Sequence, residues 1–194
     1  VAKRNRAKPK YEFRALTPER WEDFERLFGK RGACGGCWCM WWRIKRSTFD
    51  QQKGEGNKAA MRAIVDSGEV PGILAYDGDD PVGWCSVAPR DCFSVLGRSR
   101  ILKPVDDLPV WSVVCFFIAK EHRRQGLSVA LLEAAIDYTG ENGGTILEGY
   151  PVEPKKDEAP DVFVFTGLAA AFRKAGFVEV ARRSETRPIM RFAL

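Results

Sequence analysis

A single histidine, His122, stands in this chain of 194 residues, together with only four tyrosines and three methionines. With one imidazole available, any Ser-His-Asp or Cys-His-Asn relay has to run through that position. No stretch of about 18 apolar residues occurs, so no segment is built to cross a bilayer as a helix. The basic N-terminus, Val1–Lys10, lacks the apolar core of a secretory leader and is predicted to be a disordered tail. No internal repeat is present, and no low-complexity segment beyond that tail. Neither sign of charge dominates: 31 Lys and Arg are set against 26 Asp and Glu, a net charge of +5 dispersed along the chain. That distribution argues against a nucleic-acid surface.

What is there fits one well-buried soluble domain over residues 11–194, with 45% apolar and 29% charged residues. The six cysteines, at 34, 37, 39, 85, 92 and 115, are too few and too clustered for a secreted disulfide scaffold. They predict a reducing, cytoplasmic compartment.

Periodicity supplies the element order. Tyr11–Leu16 alternates as a strand, and Thr17-Pro18 starts a helix whose apolar face is Trp21, Phe24, Leu27 and Phe28, closed by Gly29. Residues 30–56 read as irregular. A second helix is predicted over Asn57–Asp66, then a hairpin of strands Gly72–Tyr76 and Val82–Val87 about the turn 77–81. After a patternless connection over 91–109, Val110–Ile118 is a nearly unbroken apolar run, as in a central strand covered on both faces. A helix over about Gly126–Thr139 places Leu127, Ala130, Leu131, Ala134 and Ala135 on one stripe. A strand at Ile146–Tyr150, a solvated loop at Val152–Asp161, a helix at Thr166–Ala175 and strands Val178–Arg183 and Ile189–Ala193 complete the chain. The order is β-α-α-β-β-β-α-β-α-β-β, an α/β fold.

The most telling stretch lies between the central strand and the long helix: Phe116 to Ser128, containing Arg123-Arg124-Gln125-Gly126-Leu127-Ser128. Such a turn aims several backbone N–H groups at one spot, with no Cβ at Gly126 to block approach, and the helix dipole adds positive charge. It is a pyrophosphate site in prospect, and Arg123 and Arg124 suit a phosphate-bearing cofactor. The stretch resembles the acetyl-CoA signature of the GCN5-related N-acetyltransferases, Gln/Arg-x-x-Gly-x-Gly/Ala, with Ser128 in the last place. The element order is similar to that family's across about 11–194.

The resemblance implies a mixed sheet in which strands 110–118 and 146–150 splay apart around the pantetheine arm. It implies acetyl-CoA as co-substrate and transfer of its acetyl group to a primary amine of a small molecule or peptide, with no metal, nucleic acid or membrane partner. A homodimer is compatible with it. Main-chain groups of Phe116 and Ile118 would lie beside the pantetheine and thioester, and the N–H groups of Arg124, Gln125, Gly126, Leu127 and Ser128 on the pyrophosphate. Many relatives carry a tyrosine in the last helix that protonates the departing thiolate. Here Phe172 holds that place in Phe172-Arg173-Lys174-Ala175-Gly176-Phe177, and a phenylalanine donates no proton. The departure leaves open an alternative, a CoA-binding sensor or interaction module without catalysis.

Two residues of the strand at 146–150 are candidates for the proton transfers. Glu148 shares a strand face with Ile146 and Tyr150. If that face meets the cleft, Glu148 accepts the amine's proton, and Tyr150 either replaces the missing phenol or walls the acceptor pocket. Glu153 is a weaker candidate, and His122 is read as an exposed packing residue.

The segment Cys34-Gly35-Gly36-Cys37-Trp38-Cys39-Met40-Trp41-Trp42-Arg43 has two readings. Its tryptophans, Trp38, Trp41 and Trp42, either stack on a flat or cationic acceptor or are buried against the sheet. C-x-x-C-x-C lacks the fourth ligand of a structural zinc site, so no metal is expected. With Glu148-Gly149-Tyr150-Pro151, the segment resembles a subgroup of the family that brings no substrate with it.

Overall fold

Apolar residues at alternate strand positions and at helical spacing build one sheet with helices on both faces. In the computed structural model, residues 10–155 and 164–194 are described. The predicted tail, but for Lys10, and part of the 152–161 loop lie outside them. The sheet has seven strands in the order β1-β2-β3-β4-β5-β7-β6: β1 (Glu12–Ala15), β2 (Ile73–Asp77), β3 (Asp80–Pro89), β4 (Trp111–Ile118), β5 (Ile146–Gly149), β6 (Val178–Arg182) and β7 (Pro188–Ala193). Every neighbour pair is antiparallel except β4 with β5. The sheet is therefore mixed, as the sequence predicts.

Five helices accompany it among the described residues: α1 (Trp21–Phe28), α2 (Arg46–Gln51), α3 (Glu55–Asp66), α4 (Leu127–Glu141) and α5 (Ala169–Lys174). The period-two alternation of β2 divides the core. Ile73 and Ala75 face Leu127, Leu131, Leu132 and Ala135 of α4. Leu74 and Tyr76 face Trp21, Phe24 and Phe28 of α1 and Met61 and Val65 of α3. A third cluster continues the α1/α3 side, where Trp42, Phe93, Leu96 and Leu102 cover Val114 and Tyr150.

Besides shifts of one to three residues at other element ends, such as α1 starting at Trp21 and β3 spanning Asp80–Pro89, three differences from expectation have local reasons. α2 falls in the stretch read as irregular. It is six residues long and buries only Phe49, too little for a periodic signal, and is braced by an Arg46–Asp50 pair at 2.8 Å. α3 begins two residues early, after Gly54 at φ +86°. α5 begins three residues late, because Gly167 at φ +86° interrupts the predicted helical run.

One irregularity in the centre matters for the site. Ser86 pairs with Cys115 and Val87 with Val113, leaving Val114 as the extra residue of a β-bulge. Val114 and Cys115 consequently both face the α1/α3 side, where Val114 packs in the Tyr150 cluster.

Candidate active site

β4 and β5 form a fork. They are paired only through Trp111↔Leu147, Ser112↔Glu148 and Val113↔Gly149, and part beyond the bulge. Gly149 at the root is required by a close approach, since a Cβ there would sit 2.1 Å from the Phe172 ring. Phe172 is fully buried and packs edge-on to Phe116 and Phe177 at 6.1 and 5.0 Å. The phenylalanine at the tyrosine's expected position is thus a core residue between the two arms.

The open end of β4 runs into the Gly126 turn. A short 3-10 turn at Lys120–His122 is followed by Arg124 at φ +58° and Gly126 at φ +82°, after which α4 begins. Among the described residues, the N–H groups of Arg124, Gln125 and Gly126 find no backbone acceptor. Those of Leu127 and Ser128, the first two of α4, have no partner one turn back by helix geometry. A Cβ at Gly126 would point into open space. Arg123 Nε donates to the Ile118 carbonyl at 3.0 Å, and Gln125 is held by Lys10 at 2.6 Å and the Glu121 carbonyl at 2.7 Å. Amides without a backbone acceptor among the described residues, a helix N-terminus and two adjoining arginines in the chain fit an anionic group such as a phosphate. His122 lies elsewhere, against the Tyr11 ring and 3.8 Å from Asp77.

Glu148 and Tyr150 are brought together, but not in the way the sequence implies. Glu148 is fully buried, and both its oxygens are occupied: Oε1 accepts from Arg90 Nη1 at 2.9 Å and from the Tyr150 hydroxyl at 2.6 Å, and Oε2 from Arg191 Nε at 2.7 Å. Arg191 is in turn held by Asp106 at 2.6 and 3.0 Å; that pairing outweighs burial, which opposes it, and together with Glu148 raises the Arg191 pKa. The Tyr150 hydroxyl also meets Ser112 at 2.9 Å and receives a hydrogen bond from Arg90. Burial first, then the Glu148 charge, push its pKa far up, so it stays a phenol. The hydroxyl is turned back toward the 112–148–191 row and away from the fork's open end. Buried, and with three of its four lone-pair positions taken by these donors, Glu148 faces the clamp and not the open cleft that the sequence reading expects. Glu153 is on the surface, paired at 2.5 Å with both Arg173 and Arg182.

Of the three tryptophans, only Trp42 packs in the cluster that holds Tyr150. Trp38 is 3% exposed and stacks between Phe28 and Trp21 at 5.6 and 6.5 Å, so it offers no free ring face. Trp41 is 36% exposed but covered by Arg46, 4.2 Å from the ring, and rests on Phe49. Trp42 joins Tyr150 in the third cluster, 6.4 Å from the Phe165 ring, and its buried indole N–H has no partner among the described residues. The three cysteines likewise diverge: Cys34 is exposed, Cys37 half-buried, and Cys39 buried. Cys39 accepts from the Trp84 indole at 3.1 Å and lies beside the free Cys115 thiol. Burial alone would raise its pKa, but these neighbours and the Arg43 charge outweigh it and lower it. The Cys115 thiol, next to the Cys39 sulfur and desolvated, is raised. Among the described residues no three His, Cys, Asp or Glu side chains converge on a possible metal position.

Sequence reasoning missed Arg90, Ser112, Arg191 and Asp106, which complete the cluster. One signal was readable: Ser112 and Glu148 occupy alternating polar positions inside apolar strands, and buried polar groups need partners.

The acetyltransferase (GNAT) family model matches residues 37–156, more than half of the chain. The chain belongs to that family. Solved structures share the fold at low identity. The PaiA N-acetyltransferase of Thermoplasma acidophilum, in complex with coenzyme A, is 13% identical at a TM-score of 0.53, covering 95% of this chain and 99% of its own. The yncA protein of Salmonella typhimurium, a putative acetyltransferase with its cofactor acetyl-CoA, is 12% identical at 0.52, covering 96% and 95%. A GNAT-family acetyltransferase of Listeria monocytogenes is 9% identical at 0.57, covering 95% of each chain. No curated protein matches the chain by sequence. No described helix is long and apolar enough to cross a membrane.

Proposed function

We propose that this protein transfers an acetyl or small acyl group from a CoA thioester to a primary amine of a small molecule or peptide. The observation that carries the reading is the pair formed by the fork and the turn. Strands β4 and β5 part after Val113 and Gly149, and the open end of β4 leads directly into amides, at the start of α4, that have no backbone acceptor among the described residues. A pantetheine arm lies along the β4 main chain at Phe116 and Ile118, and the pyrophosphate sits on the N–H groups of Arg124 to Ser128, with Arg123 and Arg124 beside it. The family membership and the CoA-bound neighbours support this assignment.

In the reaction the amine nitrogen attacks the thioester carbonyl, a C–N bond forms, the C–S bond breaks, and one proton passes from nitrogen to the departing sulfur. Main-chain N–H groups of β4 facing the gap polarise the carbonyl, as fixed donors do in acyl transfer. Glu148 and Tyr150 enter as positioning residues: they join β4, β5 and β7 at the root of the fork and fix its opening angle. Trp42 and the Tyr150 ring wall the acceptor side. The compartment fitting these free thiols is a reducing cytoplasm.

A second reading, a CoA-binding module that does not turn over, is favoured by two observations: Phe172 is a buried core residue and the buried Glu148 accepts from Arg90, Tyr150 and Arg191. A thiol-release assay with acetyl-CoA and a panel of primary amines separates the two. Release of CoA that depends on amine establishes the transferase; saturable binding without release on any amine establishes the sensor.

A further inference from the structure

Residues 164–168 lie inside the fork. On one arm the Phe116 N–H donates to the Phe165 carbonyl at 2.6 Å. On the other, the Val152 N–H donates to the Gly167 carbonyl at 2.8 Å, the Ala169 N–H donates to the Val152 carbonyl at 2.9 Å, and Val152 and Leu168 form a parallel bridge. The segment is a tight turn, closed by the Gly167 N–H on the Val164 carbonyl at 2.8 Å, that joins β4 to the continuation of β5 across a gap the two strands leave unpaired. Its side chains hold it there. Phe165 rests by Trp42, and the buried Thr166 hydroxyl accepts from Arg187 Nη1 at 2.9 Å. Gly167 threads past the aromatics so closely that a Cβ would lie 2.8 Å from Phe172 and 3.0 Å from Phe116.

We propose that this segment is a strap that competes with acyl-CoA for the main chain of β4. The inference rests on the reading that the cofactor arm lies in the fork. The Phe116 N–H is one donor and serves one acceptor at a time, the Phe165 carbonyl or an oxygen of the pantetheine. Cofactor binding therefore requires the strap to withdraw, and the affinity measured is the intrinsic one reduced by the fraction of molecules with the strap out. Withdrawal also uncovers Trp42 on the acceptor side, so the acceptor pocket opens only once the cofactor is in place. The kinetic order that follows is acyl-CoA first, amine second.

The sign of the mutational effect tests the strap. A segment that contacts the cofactor loses affinity when it is damaged; a segment that competes with it gains affinity. Phe165→Ala removes the packing on Trp42, and Thr166→Val removes the Arg187 hydrogen bond at nearly constant volume. Arg187→Gln loosens the same anchor from outside the fork, should either of the others fail to fold. Titration calorimetry with acetyl-CoA is expected to show each folded variant binding at least about threefold tighter than the natural protein. Hydrogen exchange supplies a second readout: acetyl-CoA should speed exchange at Val152 and Ala169, where ordinary ligand protection would slow it. Unchanged or weaker binding in the variants, with wild-type binding intact, overturns the strap and leaves the acyltransferase reading standing. Binding gained only in the variants supports the strap, and no binding in any of them removes both.

Discussion

The turn at 123–128 and the cluster around Glu148 are both polar and both adjoin the fork, yet they are built in opposite ways. In the turn, backbone donors from Arg124 to Gly126 have no backbone acceptor among the described residues, and a Cβ at Gly126 would meet open space. In the cluster every oxygen of Glu148 is engaged, by donors that arrive from β3's end, β5 and β7. A binding site keeps hydrogen-bonding capacity free until the ligand comes; a scaffold satisfies it internally, because an unsatisfied buried group costs about 1–3 kcal/mol. The contrast supports the proposal that the turn serves the ligand and the cluster the architecture. A glutamate attractive as a base in the sequence faces two guanidinium groups and a phenol in the structure.

The sharpest test of that contrast is Glu148→Gln. Losing the charge leaves Arg90 and Arg191 facing a neutral amide in the interior, and stability should fall by about 3 kcal/mol in chemical denaturation. A variant that kept its stability but lost turnover would reverse the assignment and make Glu148 catalytic. Next is Gly126→Val. The left-handed φ of +82° makes a β-branched residue cost roughly 1–2 kcal/mol, and the side chain would fill the open space over the amides. Acetyl-CoA affinity should drop at least about tenfold, or ~1.4 kcal/mol, while the protein remains folded. Retained affinity in a folded variant would move the phosphate elsewhere.

Tyr150→Phe comes third. It removes the hydroxyl shared by Glu148, Ser112 and Arg90, and should cost about 1 kcal/mol of stability. The pH profile of thiol release should keep its shape, because Tyr150 remains a phenol across the working range; a lost alkaline limb would instead mark it as the proton donor. The smallest effect is expected at Glu153. Its pKa is lowered by the hydrogen bonds from Arg173 and Arg182. Its folded-state value lies below its unfolded one, so the stabilisation is present above the unfolded carboxylate value and disappears as pH falls through the folded one. Thermal melts of Glu153→Gln should therefore fall less steeply than the natural protein's between about pH 5 and pH 3. An exposed pair is worth little, so the difference will be near the detection limit.

How far the sequence reached depended on the span over which each feature is encoded. The hairpin of β2 and β3, the apolar run of β4 and the stripe of α4 are written in consecutive residues, and period two or 3.6 reveals them. The six residues of α2 are too few for a period, and the late start of α5 is set by a single glycine. Among the tryptophans, the sequence left burial and acceptor stacking open. The answer for Trp38 depends on Phe28 and Trp21, which come from a different element.

By itself, then, the amino-acid order determined the strands and helices, their succession, and the glycine turn that presents its amides at the start of α4. These are local consequences of backbone geometry, and a glycine in the left-handed region or an alternation of apolar side chains acts within a few residues. Only the tertiary structure decided what the polar side chains do. Arg90 and Arg191 reach Glu148 across 58 and 43 residues of chain, and Asp106 meets Arg191 across 85. Whether a buried carboxylate is a free base or a clamped anchor depends on which cations the fold brings to it, and charge pairing is blind to distance along the chain.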